Sequence, residues 1–144
     1  MHALRTLIRS ILPQSLHKRL FALYHAAFAY GSAFYYGFPA RRITVIGITG
    51  TKGKSSVSEM LFAVLRHAKY PTAVAGTIRF AINEDSRPNL FKMTMPGRGF
   101  LQKFLRDAVR KGARYAVLEV TSEGAAQNRH LCLDMDALIF TNLQ

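Results

Sequence analysis

With 144 residues, 49% of them hydrophobic, the chain is long enough for one modest domain with a buried core and too short for a multidomain synthetase. Its 20 Lys and Arg against 8 Asp and Glu give a formal net charge of +12. This balance favours polyanionic partners (nucleotides, phosphorylated substrates, anionic lipid or nucleic acid) without choosing among them. The single cysteine, Cys132, excludes an internal disulfide framework, and its apolar neighbours indicate a buried small side chain rather than a catalytic thiol.

The first region, residues 1–42, is basic and aromatic. It holds six bases and no acid, and residues 20–40 contain no Asp, Glu, Lys or Arg but many Phe and Tyr. Apolar residues before Pro13 recur at helical spacing, so the region is predicted to be helical. Two interpretations stay open: a helix lying in the interface of an anionic membrane, or a helical hairpin packed on the domain's own surface. No small-residue cleavage site stands out, so a cleaved signal peptide is not expected.

The second region, residues 43–144, alternates apolar runs with amphipathic stretches. Continuous apolar strands joined by helices are typical of a parallel sheet covered on both faces. We therefore predict an α/β fold with a mostly parallel sheet and helices on both of its faces. The predicted strands are residues 43–48, 72–75, 115–120 and 137–140, and the predicted helices are residues 55–67 and 100–109, the second ending at Gly112.

A glycine-rich turn joins the first predicted strand to the first predicted helix. Gly50 and Gly53 allow successive backbone N–H groups to point at phosphate oxygens, and the helix that follows adds its positive N-terminal dipole. Lys54 can reach the terminal phosphates, and the Ser55 hydroxyl can ligate Mg²⁺. The strict P-loop pattern requires glycine at position 48, where this chain has Ile48, so the turn is predicted to be a variant P-loop.

This turn resembles the ATP loop of the Mur ligase superfamily, which reads G-x-T-G-T-x-G-K-[ST]-[ST]. Residues 47–56 match it, with Lys52 where asparagine is commoner. Residues 118–124, 127–129 and 140–143 resemble, in order and spacing, the E-V-S-S-H-G, Q-x-R and F-T-N-L segments of UDP-N-acetylmuramoyl-tripeptide synthetases (the MurE type). The similarity covers residues 43–144, roughly the first half of that family's central ATP-binding domain.

The resemblance implies a magnesium site next to the ATP loop. Glu119 matches a Mg²⁺ ligand at the carboxyl end of a strand and, with Lys54, is the expected catalytic residue; the alternative is a structural acid paired with a base. Glu123 stands where the family usually has a metal-binding histidine. It either joins Ser55 and Glu119 as a metal ligand or pairs with a surface base.

Other positions are expected to contact the nucleotide or the muramoyl substrate. Thr94 precedes Met95 where the family has a second threonine in its T-T-P loop, which leaves Thr94 alone as the match. The expected ATP-binding residues are Thr49, Gly50, Thr51, Lys52, Gly53, Lys54, Ser55, Ser56 and Asn142. The expected substrate-binding residues are Thr94, Thr121, Ser122 and Arg129.

The function that the resemblance implies is ATP- and Mg²⁺-dependent ligation in peptidoglycan precursor synthesis. An amino acid is joined to a UDP-N-acetylmuramoyl-peptide through an acyl phosphate, in the cytoplasm or at the inner face of the membrane. The family's carbamylated lysine and C-terminal domain have no counterpart in these 144 residues. We therefore expect an incomplete, inactive part of a longer protein that binds ATP weakly.

Three other interpretations remain open. A folylpolyglutamate synthetase-like ligase shares the P-loop and the chemistry. A non-catalytic basic P-loop module would bind nucleic acid, but no stacking platform or helix-turn-helix pattern follows residue 42, so a nucleic-acid partner is not expected. A membrane-associated assembly fragment with a vestigial ATP site is the third.

Overall fold

A computed structural model describes residues 14–142, with the exceptions of Lys92 and Arg98. The predicted helical face before Pro13 lies outside the described residues. The elements in chain order are α1 (Gln14–Tyr35), a 3-10 helix (Pro39–Arg42), β1 (Thr44–Thr49), α2 (Lys54–His67), β2 (Thr72–Ala75), β3 (Arg79–Ile82), β4 (Asp85–Pro88), α3 (Phe100–Arg110), β5 (Tyr115–Glu119), α4 (Ser122–Ala126) and β6 (Ala137–Phe140).

The strands form one six-stranded sheet in the order β4-β3-β2-β5-β1-β6. Neighbouring strands among β2, β5, β1 and β6 pair in parallel. At the other end of the sheet, β3 pairs antiparallel with both β2 and β4. The predicted mostly parallel α/β architecture is therefore confirmed. Since β1 and β5 are neighbours, their carboxyl ends meet at the same edge of the sheet.

Helices cover both faces of the sheet. On one face, Phe104, Leu105 and Ala108 of α3 pack against Val45 and Leu118. On the other face, Phe62 of α2 packs against Ile48, Val74 and Val117, and partly buried residues of the same helix extend this contact. Buried side chains of the central strands β2 and β5 supply both layers, because successive residues of a strand point to opposite faces.

The hairpin formed by β3 and β4 is absent from the sequence prediction. Its first strand is buried, but all four residues of β4 are exposed, so β4 carries no apolar signal. A two-residue connection joins Ile82 to its partner Asp85, and Asn83 adopts φ +54° there. Asparagine tolerates this left-handed conformation, which tight hairpin turns require.

The last strand corrects another expectation. Residues 137–140 form β6 as predicted, but all four are exposed, with Phe140 59% exposed. Among the described residues β6 pairs only with β1 and forms one edge of the sheet, so its apolar sequence does not place it between two covering layers.

The inner side of α1 packs on the second region. Ala33 is fully buried, Arg106 of α3 donates a hydrogen bond to the Tyr36 carbonyl oxygen (3.2 Å), and a Cβ at Gly99 would stand 2.7 Å from the Ser32 Cβ. The 3-10 helix that follows buries Ala40 in the same core as Val45. Over the described part of the chain, no helix combines the length and apolar character needed to cross a bilayer.

Candidate functional site

The glycine-rich turn between β1 and α2 adopts backbone conformations that only glycine reaches easily. Gly50 has φ +138°, and Gly53, which immediately precedes α2, has φ +83°. A Cβ at Gly50 would stand 2.1 Å from the Thr141 hydroxyl oxygen. Position 50 therefore requires glycine both for its conformation and for the close approach of the residues after β6.

The segment after β6 braces this turn. The Asn142 side-chain oxygen accepts hydrogen bonds from the backbone N–H groups of Thr51 and Lys52, both at 3.0 Å. The Thr141 hydroxyl donates to the Lys52 carbonyl oxygen (2.6 Å), and the Thr141 N–H donates to the Thr49 carbonyl oxygen (2.9 Å). Asn142, expected from the sequence at the ATP site, thus lies against the turn itself.

Lys54 is the first residue of α2, and its ammonium group lies over the turn. It donates hydrogen bonds to the carbonyl oxygens of Gly50 (2.6 Å) and Thr51 (3.2 Å). Lys52 and Ser56 are exposed on either side of it. The predicted phosphate-binding residues are therefore gathered at one corner, where a positive side chain adds to the positive end of a helix.

Glu119 lies at the end of β5, directly opposite Ile48 of β1, and is only 2% exposed. Its carboxylate accepts hydrogen bonds from the hydroxyls of Ser55 (3.1 Å), Ser58 (3.2 Å) and Thr77 (2.8 Å) and from the Thr77 N–H (3.0 Å). Among the residues that the structure describes, no Lys, Arg or His forms an ion pair with it. Neutral donors, not a paired base, therefore stabilise the buried carboxylate.

The two residues after β2 accommodate this carboxylate: Gly76 leaves space for it and Thr77 donates hydrogen bonds to it. A Cβ at Gly76 would stand 2.2 Å from a Glu119 carboxylate oxygen, and Thr77 donates two of the four hydrogen bonds. Thr77 is not among the site residues predicted from the sequence. Its signal is a hydroxyl residue just beyond a predicted strand of a parallel sheet, where the strand ends converge.

Thr77 also connects Thr94 to the site. The two hydroxyl oxygens lie 2.9 Å apart, so a chain of contacts runs from Thr94 through Thr77 and Glu119 to Ser55. Met95, at the position where the family has a second threonine, is buried, and its sulfur accepts a hydrogen bond from the Thr121 N–H (3.3 Å).

Arg129 is half-buried and lies against the same loop. Its guanidinium donates to the Met95 carbonyl oxygen (2.7 Å) and to the Gln127 side-chain oxygen. Its Nε has no hydrogen-bond partner among the described residues. Arg129 is therefore held in place by contacts within the protein.

The remaining predicted residues lie at the start of α4. The Thr121 side chain accepts a hydrogen bond from the Gly124 N–H (3.0 Å) and caps the helix. Ser122 and Glu123 are exposed, and the Glu123 carboxylate accepts a hydrogen bond from Gln127 (3.1 Å). In the described part of the chain, Glu123 forms no ion pair, and no three His, Cys, Asp or Glu residues are grouped so that they could hold a metal ion.

Cys132 is partly buried. Burial raises the pKa of its thiol, and the nearby charge of Asp134 adds to this effect. The neutral thiol is therefore favoured, which agrees with a small packing residue more than with a nucleophile.

Comparison with known proteins gives a consistent family. The sequence model of the Mur ligase middle domain matches residues 48–144. The chain is 38% identical over 117 residues to a UDP-N-acetylmuramoyl-L-alanyl-D-glutamate–2,6-diaminopimelate ligase of Geobacter metallireducens. The aligned part covers 81% of this chain and 22% of the relative. It is 34% identical over 114 residues to a UDP-N-acetylmuramyl-tripeptide synthetase of a Roseiflexus species, with coverage of 78% and 22%.

A solved structure agrees with these sequence relatives. A UDP-N-acetylmuramoyl-L-alanyl-D-glutamate–2,6-diaminopimelate ligase superposes with a TM-score of 0.62 at 31% identity, over 71% of this chain and 20% of that structure. The chain spans about a fifth of the length of the relatives it matches. The resemblance found in the sequence motifs is confirmed, and the chain belongs to the Mur ligase family, whose middle domain it matches from residue 48 onward.

Proposed function

We propose that this chain supplies the ATP- and magnesium-binding part of an amide ligase of peptidoglycan precursor synthesis. One observation carries the proposal: the Ser55 hydroxyl of the P-loop lies 3.1 Å from the buried carboxylate of Glu119. A phosphate-binding turn and an acidic group on the neighbouring strand are the two parts that nucleotide–magnesium chemistry requires. The names of the relatives support the reaction class.

In this proposal residues 49–56 hold the phosphates of ATP. The backbone N–H groups at the N-terminus of α2 face the phosphate oxygens, while the N–H groups of Thr51 and Lys52 stay bonded to Asn142. On binding, the Lys54 side chain moves so that its ammonium group leaves the carbonyl oxygens of Gly50 and Thr51 and contacts the terminal phosphates. This is a short movement for a flexible side chain. Asn142 keeps the turn in shape through its two hydrogen bonds.

The donor set beside the P-loop fits Mg²⁺. The hydroxyl oxygens of Ser55 and Thr77 each lie within hydrogen-bonding distance of the Glu119 carboxylate, and all of these atoms are hard oxygens. Mg²⁺ is commonly held by one or two carboxylates together with substrate phosphates and water, not by a cage of protein ligands. When bound, the ion would neutralise charge on the phosphates. Glu123, exposed on α4, is the second acidic candidate ligand.

The proposed reaction has two steps. A carboxylate oxygen of a UDP-N-acetylmuramoyl-peptide attacks the γ-phosphorus of ATP, the bond to the β–γ bridging oxygen breaks, and ADP leaves. The amine of an amino acid then attacks the carbonyl carbon of the acyl phosphate, phosphate leaves, and the amine loses a proton. Lys54 stabilises charge on the transferring phosphoryl group, while Thr94, Thr121, Ser122 and Arg129 are the proposed contacts for the muramoyl substrate.

We place residues 43–144 in the first half of the family's central domain and the reaction in the cytoplasm, where ATP is available. Because the chain corresponds to 22% of the length of the relatives, we propose that these 144 residues, tested alone, bind Mg-ATP weakly and form no amide bond.

Calorimetry with Mg-ATP on the full chain tests the nucleotide site. We expect Lys54→Ala to weaken binding by about 10- to 100-fold, because a charge-assisted contact to phosphate is lost. The matched control is Lys103→Ala, which removes the charge of an exposed lysine on α3, outside the proposed nucleotide site. Circular dichroism establishes that both variants fold. If the wild-type chain binds no Mg-ATP, or if both substitutions weaken binding equally, the proposal is wrong.

A further inference from the structure

One face of α1 exposes a continuous row of large apolar side chains. The outer aromatic face, as we call it, consists of Leu20, Leu23, Phe28, Phe34 and Tyr35, with Phe34 78% and Tyr35 79% exposed. At 3.6 residues per turn these positions fall within an arc of about 140° and extend for about 22 Å along the helix. Monomeric soluble proteins rarely expose contiguous apolar surface of this kind unless it binds something.

The orientation of α1 is fixed by contacts on its opposite side. Ala33 is fully buried there, Ser32 faces Gly99 closely, and the Tyr36 carbonyl oxygen accepts a hydrogen bond from Arg106. Polar residues would normally occupy the outward side of a helix packed in this way. In α1 the outward side carries aromatic residues instead. Because the contacts on the inner side fix the helix, these aromatic residues cannot be buried by rotation of the helix.

Charge favours one occupant for this face. No Asp, Glu, Lys or Arg occurs in residues 20–40, yet Lys18 and Arg19 precede this stretch and Arg41 and Arg42 follow it. The whole of residues 1–42 contains no acid. A second copy of the chain would bring two such basic segments together, whereas an anionic surface would attract both. Aromatic rings flanked by bases are typical of segments that lie at the headgroup level of a bilayer.

We propose that the outer aromatic face of α1 docks into the interface of an anionic lipid bilayer. The helix lies along the bilayer plane, because its inner side remains packed on the domain. Phe34, Tyr35 and Phe28 enter the boundary between headgroups and acyl chains, and the net positive charge of residues 1–42 attracts the anionic surface. The proposal does not depend on the reaction proposed above.

Flotation of the full chain with vesicles tests this docking. The vesicles contain phosphatidylcholine alone, or phosphatidylcholine with about one-third phosphatidylglycerol as the anionic lipid. We expect binding to the anionic vesicles at low salt, weakened by raising the salt to about 0.5 M because the charges are then screened. Neutral vesicles should bind at least about tenfold more weakly.

Paired substitutions assign the binding surface. Phe34→Ser with Tyr35→Ser should reduce binding to anionic vesicles by about tenfold or more, since two exposed rings no longer enter the interface. The matched control is Met60→Ser with Val64→Ser, which removes two apolar side chains of similar exposure (67% and 63%) from α2. The control should bind like the wild type. Circular dichroism and thermal unfolding verify that both pairs fold.

Three results would overturn the proposal. The first is equal vesicle binding by the wild type and the Phe34/Tyr35 pair. The second is binding to neutral vesicles as strong as to anionic ones. The third is a wild-type chain that does not bind vesicles but self-associates with rising concentration in light scattering, when the Phe34/Tyr35 substitutions abolish that self-association. The outer aromatic face would then be an interface between copies of the chain.

Discussion

The hydroxyl of Ser55 donates a hydrogen bond to the carboxylate of Glu119 at 3.1 Å, although the two residues are 64 positions apart in the chain. Parallel pairing of β1 with β5 produces this proximity, because Ile48 and Glu119 are register partners and the P-loop begins just beyond Ile48. The buried carboxylate receives four hydrogen bonds from neutral groups. A buried negative charge thus lies beside the proposed phosphate-binding turn, where a cation would balance both the carboxylate and a bound phosphate.

The charge of Glu119 is expected to determine how Mg²⁺ affects nucleotide binding. Glu119→Gln keeps the size of the side chain but removes its charge. We expect the gain in ATP affinity on adding Mg²⁺ to fall by about tenfold, because Mg²⁺ prefers carboxylate oxygens. Calorimetry with and without Mg²⁺ measures this gain. Glu84→Gln, an exposed glutamate of the β3–β4 turn, is the control and should leave the gain unchanged. An undiminished gain in Glu119→Gln would remove Glu119 from the metal site.

Asn142 is expected to hold the P-loop through its side-chain oxygen. In Asn142→Ala the Lys52 N–H loses its acceptor, so its exchange with solvent deuterium should accelerate by about tenfold, the effect of roughly one net hydrogen bond. Asn142→Asp retains an acceptor at the same position and should exchange much like the wild type. Amide exchange followed by NMR makes the measurement. If Asn142→Ala exchanges at the wild-type rate, another group holds the turn.

Gly76 is expected to be required for the position of Glu119. A Cβ at residue 76 would stand 2.2 Å from the carboxylate oxygen, and Glu119 has no free space because it is buried. Gly76→Ala should therefore lower the free energy of unfolding by about 1–3 kcal/mol. Gly31→Ala is the contrast: its Cβ would meet nothing within 4 Å on a helix, so it should raise that free energy by about 0.5–1 kcal/mol. Urea unfolding gives both values, and a stabilised Gly76→Ala would contradict the crowding argument.

The thiol of Cys132 is expected to react slowly with alkylating reagents. Burial raises its pKa, so the folded protein favours the protonated form over the thiolate. The protonated thiol contributes fully to the free energy of unfolding below the ordinary pKa of cysteine. This contribution is lost as the pH rises through the raised pKa of the folded state. The rate of iodoacetamide labelling against pH should show its inflection at higher pH in the native chain than in urea. An inflection at the same pH in both would contradict the raised pKa.

The sequence predicts the parallel part of the fold well. Residues 72–75 and 137–140 are strands as expected, because short apolar runs between turns have few alternatives in an α/β pattern. The β3–β4 hairpin escapes prediction because all four residues of β4 are exposed, so the strand has no apolar pattern. The exposure of β6 escapes it as well, since a strand at the edge of a sheet can have the same apolar sequence as a central one.

The sequence predicts which residues form the candidate site better than it predicts the contacts among them. The P-loop and Glu119 can be found because their motif and their unusual polarity within an apolar run are local signals. Thr77 has a local signal in its position after a strand, but its contact with Glu119 and the brace from Thr141 depend on which strands are neighbours, and a single sequence does not give that order. Arg129 illustrates the same limit, because its contact with Met95 spans 34 residues of irregular and helical chain.

The dependence of the P-loop on Thr141 and Asn142 has a consequence for protein synthesis. Asn142 follows Thr51 by 91 positions, yet it supplies the acceptor that shapes the turn. At about 5–20 residues per second, a ribosome makes the motif roughly 5–18 seconds before it makes the brace. The nascent chain therefore carries a complete ATP-loop sequence during that interval without the groups that hold it in shape, and nucleotide should be captured only after the edge strand has been added.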